Sequence, residues 1–375
     1  MAHPFIACDF EMWNDAEFKY EVLKCFTGSS MNATDYPAIR GKMKLNKVQT
    51  AAYELIQSDA RFLYTLTDIS KRAKSISSNY IMMCQPYIGV FADGAEQWCK
   101  KAGLNAPNFN ENEKTYYGAL RQGHKLLEKT YVEYACLLME KLQESDRCFF
   151  SIRSLREKIF GYYNVGTDLC NWNYCGNTIL CAAHTPMPLL GKQDVGATIR
   201  DISVVAGKLA AFFGCKEFPP YQYDNDKNIV QYKDYHFFDD CPLKEKTVLG
   251  VVLFSILCNI NYVTVFIENY FTEEIPQKFK FAYLQYYYLC DFIKDLNSYN
   301  GSKLTIDISL KSREFRNCLA HYGLGQYIEE KDIASSDILK GLTIKAFHLE
   351  YIEAKQQLFN CLNRLRDQIQ NTILI

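Results

Sequence analysis

Apolar residues recur at spacings of three and four along most of this 375-residue chain, which is the period of one helix face. Leu45 to Ile56 carries such a stripe, and Ala60 to Ile69 resumes it after a polar break where Asp59 would cap the second helix. Asn112 to Leu142 reads as one long helix, with Tyr116, Leu120, Leu127, Tyr131, Tyr134, Leu138 and Leu142 along its apolar side. Ser151 to Tyr163 reads as helix, and Ala197 to Phe213 as an amphipathic run closed by Gly214. Between them Gly166, Gly176, Pro186 and Pro188 break up residues 164–190, which read as irregular. Pro219 to Tyr223 and Ile229 to Tyr232 are short β-prone runs flanking the turn residues Asp224 to Asn228, and they predict a hairpin.

A boundary is expected at Asp239-Asp240-Cys241-Pro242, with Pro242 suited to opening a helix. Four helical segments should follow: Leu243 to Tyr270, Pro276 to Leu296, Ile306 to Tyr322, and Asp337 to Gln370. Asn297 to Ser302 reads as a loop, and Gly323 suits the left-handed position after a helix. Four helices of this length fit a bundle. The expected fold is therefore mainly α. Residues 241–375 would form a C-terminal helical bundle, and residues 1–240 a larger, mostly helical region with a short β-hairpin.

Composition agrees with a folded chain. Hydrophobic residues make up 48% and charged residues 23%, enough apolar material for sizeable cores, and the length suits two domains. A net charge of -1 argues against a basic nucleic-acid coat protein, although a local basic cleft could still hold RNA. The first residues lack a basic n-region and an apolar core, so no secretory signal is expected. Fifteen cysteines without CxxC pairs read as small buried hydrophobes in a reduced, cytoplasmic protein. Val248 to Ile267 is uncharged and about as long as a bilayer span, but Asn259, Asn261 and Thr264 interrupt it. A buried bundle helix, and no membrane partner, is the expectation.

Candidate chemistry concentrates in Arg316-Asn317-Cys318-Leu319-Ala320-His321. Histidine moves protons near neutral pH, and arginine holds a phosphate with a planar, permanently charged fork. Together they can cleave RNA without a metal. On a helix, with about 100° per residue, Arg313, Asn317 and His321 share one ridge, while Arg316 stands about 140° from His321. His321 near a helix C-terminus would be biased toward the imidazolium by the dipole.

The pattern of an arginine, a polar residue, three further residues and a histidine resembles the signature of the HEPN superfamily of helical ribonucleases. That family includes toxins, abortive-infection proteins and CRISPR-associated nucleases. The resemblance covers about the last 135 residues. It implies a metal-independent endoribonuclease without cofactor, with Arg316 on the scissile phosphate, Asn317 orienting it, and His321 in proton transfer or phosphate contact. It also implies a homodimer that joins two motifs in one composite site, an RNA substrate, and a separate antitoxin or trigger. Arg313 and Tyr322 are weaker candidates for substrate contact. The alternative reading is a non-catalytic HEPN-like module that binds RNA, a nucleotide or a protein. A helical scaffold without either activity is the third option.

Other constellations carry less. Cys170, Cys175, Cys181 and His184 lack the spacing of zinc knuckles, so no metal is expected. His124 and His348 read as helix residues, the latter packed in the bundle, and His236 lies in the hairpin region. Arg147, Arg153, Arg156 and Lys158 read as a solvated basic face with some capacity for RNA backbone. No P-loop, GxGxxG, HExxH or GxSxG pattern occurs.

Overall fold

A computed structural model of the chain describes residues 45–72, 76–152, 155, 159, 167–177, 180–181, 195–213, 219–233, 242–323, 327–333 and 337–374. Helix α1 (Lys47–Arg72) starts where Asn46 and Gln49 exchange side chain-to-backbone hydrogen bonds of 2.8 and 3.0 Å. It runs straight through Asp59, which is no cap. The Asp59 carboxylate is buried and bonded to Gln277, Lys280 and Tyr322. After α2 (Ser78–Met82), α3 (Gln85–Ala102) ends at Gly103 in the left-handed conformation.

The expected long helix from Asn112 divides. Helix α4 (Glu111–His124) gives way to a 3-10 turn at Leu126–Glu128, and α5 (Tyr131–Ile152) begins afresh. Thr130 and Glu133 make a reciprocal capping box there, which restarts the helix even though the apolar period continues across the break.

Strands β1 (Thr167–Cys170) and β2 (Asn173–Asn177) are antiparallel, and their turn places Asn171 and Trp172 at positive φ, 47° and 67°. Helix α6 (Val195–Phe212) follows, then β3 (Val230–Lys233), which pairs with β1 to give the order β2-β1-β3. The expected hairpin across Asp224 to Asn228 therefore does not form. The Asp224 carboxylate takes the Asp226 and Lys227 N–H groups, and Tyr223 bridges to Phe271 instead of the following strand. Gly166, Pro186, Pro188 and Gly214 lie outside the described residues.

Thr247, not Pro242, caps α7 (Val248–Asn261), while Leu243 bridges to Leu374. The chain continues through a π-helical segment, Tyr262–Ile267, to a last α-turn at Glu268–Tyr270. Helix α8 (Pro276–Asn300) extends past the expected loop start and ends at Gly301, φ 67°. Helix α9 (Arg313–His321) is shorter than expected because Ser312 caps it, and Tyr283 and Tyr286 donate to the carbonyls of Leu310 and Asp307 in the non-helical segment before it. The last predicted helix is also two, α10 (Ile338–Phe347) and α11 (Tyr351–Ile373), parted by His348 at φ 58° and restarted by a Glu350–Glu353 capping box.

The fold is mainly α with a small antiparallel sheet. One hydrophobic core runs across residue 241: Phe62 meets Phe281 edge-on at 5.3 Å, and Phe91 meets Tyr322 at 6.4 Å. Among the described residues, Val248–Tyr270 alone is long and apolar enough to cross a membrane, and most of it is buried within the protein.

Candidate functional site

Helix α9 owes its orientation to spacing. Phe315, Cys318 and Leu319 are buried at three- and four-residue intervals, which leaves Arg316, Asn317, Ala320 and His321 half-buried on the flank. Tyr322 then turns left-handed at φ 51°, and the Gly323 N–H returns to the Cys318 carbonyl at 2.9 Å. His321 is thus fixed at the last helical residue.

Arg316 lies under two rings of α8. Its guanidinium carbon is 5.0 Å from the centre of the Tyr287 ring and 5.4 Å from that of Tyr288. It donates to Asn317 Oδ1 at 2.9 Å and reaches Glu128 Oε1 at 3.4 Å. Its Nε is buried without a hydrogen-bond partner.

His321 faces a second set of charges. Burial, and then the positive charge of Arg121, hold its imidazole below the usual 6.5; Arg316 and Lys125 add to this, and Asp93 opposes it. The expected dipole bias toward imidazolium is therefore outweighed, because desolvation and nearby cations both favour the neutral ring. A neutral imidazole at pH 7 can accept a proton. His321 Nδ1 is buried without a hydrogen-bond partner, the second such atom of the motif.

Helix α3 brings these charges in. Gly94 packs so closely on α9 that a Cβ there would lie 2.4 Å from the Ala320 carbonyl oxygen. The neighbouring Asp93 pairs with Arg121 of α4 at 3.2 Å, and Lys125 stands one turn beyond Arg121. Charges of both Arg316 and Arg121 act on the Tyr288 hydroxyl, which burial raises to about 12. Arg316, Asn317, His321, Arg121, Lys125, Asp93, Glu128, Tyr287 and Tyr288 thus form one neighbourhood.

Sequence reading supplied only the first three. The others come from elements distant in the chain, and the four-residue step from Arg121 to Lys125 was the sole local sign of a basic ridge. Arg313 is exposed at the start of α9. Tyr322 corrects an expectation: it is 1% exposed, donates to Asp59 at 2.5 Å and accepts from Lys280 at 3.2 Å. A ring so enclosed cannot stack on a base.

Elsewhere, His348 is an exposed helix end rather than bundle packing, and His124 closes α4. His184, His236, Arg153, Arg156 and Lys158 lie outside the described residues, while Arg147 is exposed on α5. Cys170, Cys175 and Cys181 are buried, and among the described residues no three His, Cys, Asp or Glu side chains are grouped to hold a metal ion. The chain is matched by no family model, no curated protein and no solved structure.

Proposed function

We propose that the protein is a metal-independent endoribonuclease of the HEPN type, with Arg316, Asn317 and His321 at its reaction centre. The observation that supports this reading is the pair of buried, unpartnered nitrogens, Arg316 Nε and His321 Nδ1, on one short helix among further cations. A phosphodiester offers the negative oxygen that the Arg316 Nε–H lacks, and a neutral imidazole offers the 2′-hydroxyl a base. In the reaction the ribose 2′-oxygen bonds to phosphorus as its proton passes to neutral His321. Arg316 stabilises the charge that grows on the phosphoryl oxygens. The bond from phosphorus to the 5′-oxygen breaks, and that oxygen takes a proton from water. The products are a 2′,3′-cyclic phosphate and a 5′-hydroxyl.

The same reading carries a homodimer with two facing motifs, a cytoplasmic toxin or anti-phage defence role, and control by an antitoxin or trigger. A second reading, a non-catalytic binding module, draws on Glu128 and Asn317. Both already engage the Arg316 guanidinium, as they would in a site that holds a ligand without turning it over.

The test is cleavage of total RNA and tRNA in EDTA by wild type, Arg316→Ala and His321→Ala. Loss of one transition-state donor should cost about 100- to 1000-fold in rate. Cyclic-phosphate ends from wild type alone are expected. Binding without cleavage by wild type would favour the module, and equal cleavage by all three would remove the motif from consideration.

A further inference from the structure

Helix α3 works as a strut between two basic elements. A Cβ on Gly89 would lie 2.3 Å from the backbone nitrogen of Arg121 on α4, and one on Gly94 would lie 2.4 Å from the Ala320 oxygen on α9. The two glycines are five residues apart on one rigid helix, so the spacing of Arg121 from His321 is set by backbone contact at both ends. Asp93, next to Gly94, holds Arg121 Nη1 at 3.2 Å and also accepts a hydrogen bond from Gln97 Nε2 at 2.8 Å. The Arg121 side chain remains 28% exposed.

A structural ion pair would explain Asp93 and Arg121 alone. It does not explain their setting. Three cations, Arg316, Arg121 and Lys125, gather with His321 against two carboxylates, Asp93 and Glu128. Two buried nitrogens of the motif lack partners in the same place. An arginine fork carries five donors, and an anion bridging toward the motif could use those that Asp93 does not.

We infer that Arg121 is a second phosphate-binding arginine of this site, delivered by the N-terminal region of the same chain and aimed by Asp93. The inference rests on the ribonuclease reading and names a residue outside the motif. It gives the first 240 residues a direct part in holding RNA rather than only a regulatory one.

The experiment measures binding of a short fluorescein-labelled single-stranded RNA with 2′-O-methyl riboses, which cannot be cleaved, in EDTA between about 50 and 200 mM NaCl. Wild type, Arg121→Ala, Arg121→Lys and Arg316→Ala are compared. Arg121→Ala should bind roughly tenfold more weakly and lower the slope of log affinity against log salt by about 0.7, the effect of one lost phosphate contact on a single strand. Arg121→Lys should keep the slope and lose part of the affinity, because a point charge replaces the fork. This variant also retains a cation for Asp93, so it decides the matter if the alanine variant melts early. In the free protein, Arg121→Ala should raise the His321 titration seen by NMR, a change that loss of packing far from His321 would not produce.

If both Arg121 variants match wild type in affinity and slope while Arg316→Ala fails, the inference is overturned and the ribonuclease reading stands. If wild type neither binds this RNA nor cleaves natural RNA, the reading falls and the inference with it.

Discussion

Two charge clusters flank the end of helix α9, one residue apart, and they are built on opposite plans. Tyr322 enters a closed triad in which Lys280 and Tyr322 both bond to Asp59 Oδ2 at 2.5 Å, with the acid and lysine side chains 5% and 2% exposed. His321 enters an open cluster whose arginine, Arg121, is 28% exposed and in which two buried nitrogens lack partners. Where every polar atom is satisfied and water is excluded, charge serves cohesion. Where donors stand unpartnered beside cations, the arrangement costs stability that an anionic ligand would restore. The closed cluster is part of the fold's core, and the open one is where the proposed function would seat an anion.

Breaking the closed triad should have the largest effect. Asp59→Ala strands a buried ammonium and should destabilise the protein by about 3–5 kcal/mol, read as a lowered midpoint in thermal or urea melts. Asp93→Ala, in a partly exposed pair, should cost under about 1 kcal/mol. Burial also lowers the Lys280 pKa, which Asp59 partly counters, so a double replacement, Asp59→Leu with Lys280→Met, should recover much of the loss. Equal melting of the Asp59 and Asp93 variants would erase the distinction between the clusters.

The seat between α3 and α9 comes next. Gly94→Ala pushes a Cβ against the Ala320 oxygen and to 2.9 Å from the Tyr322 ring, so the helices must part. A cost of about 1–3 kcal/mol is expected, with weaker RNA binding because Asp93 and Arg121 move with α3. Gly118→Ala is the control: nothing lies within 4 Å of a Cβ there, and alanine should stabilise α4 by roughly 0.5–1 kcal/mol. Matched outcomes for the two glycines would mean that the close approach is not a constraint.

How much of this was legible in the sequence follows from range. Helix content was, because the apolar period is a local signal. The breaks at Thr130 and Glu350 were written as capping boxes, but the apolar period hid them by continuing on either side. Strand pairing was not legible, since Val230 pairs with Cys170, sixty residues earlier, through a register that no local rule sets. Asp59 looked like a cap because it closes the polar break Gln57-Ser58-Asp59 between two apolar runs; its partners Gln277, Lys280 and Tyr322 lie more than two hundred residues on. At the candidate site the motif helix was legible as one short string. Arg121 and Asp93 were not, because their place beside His321 depends on how α3 packs.

The smallest expected effect separates the clusters by pH. His321 is held below the usual 6.5, so between that folded value and 6.5 the unfolded chain binds more protons than the folded one. Stability then rises with pH across this window. On acidification from above 6.5, wild type should lose stability relative to His321→Asn until the folded ring is itself protonated, after which the difference stays constant. Solvent reaches part of the ring, so the difference should be the smallest of the effects considered. Asp93→Asn should lower the His321 titration further, because the Asp93 carboxylate favours the imidazolium, whereas Arg316→Ala should raise it. NMR of the imidazole through an acid titration reads all three proteins. A His321 that titrates at 6.5 in each would mean that the ring is solvated and apart from the arginines, and the open cluster would dissolve into separate surface charges.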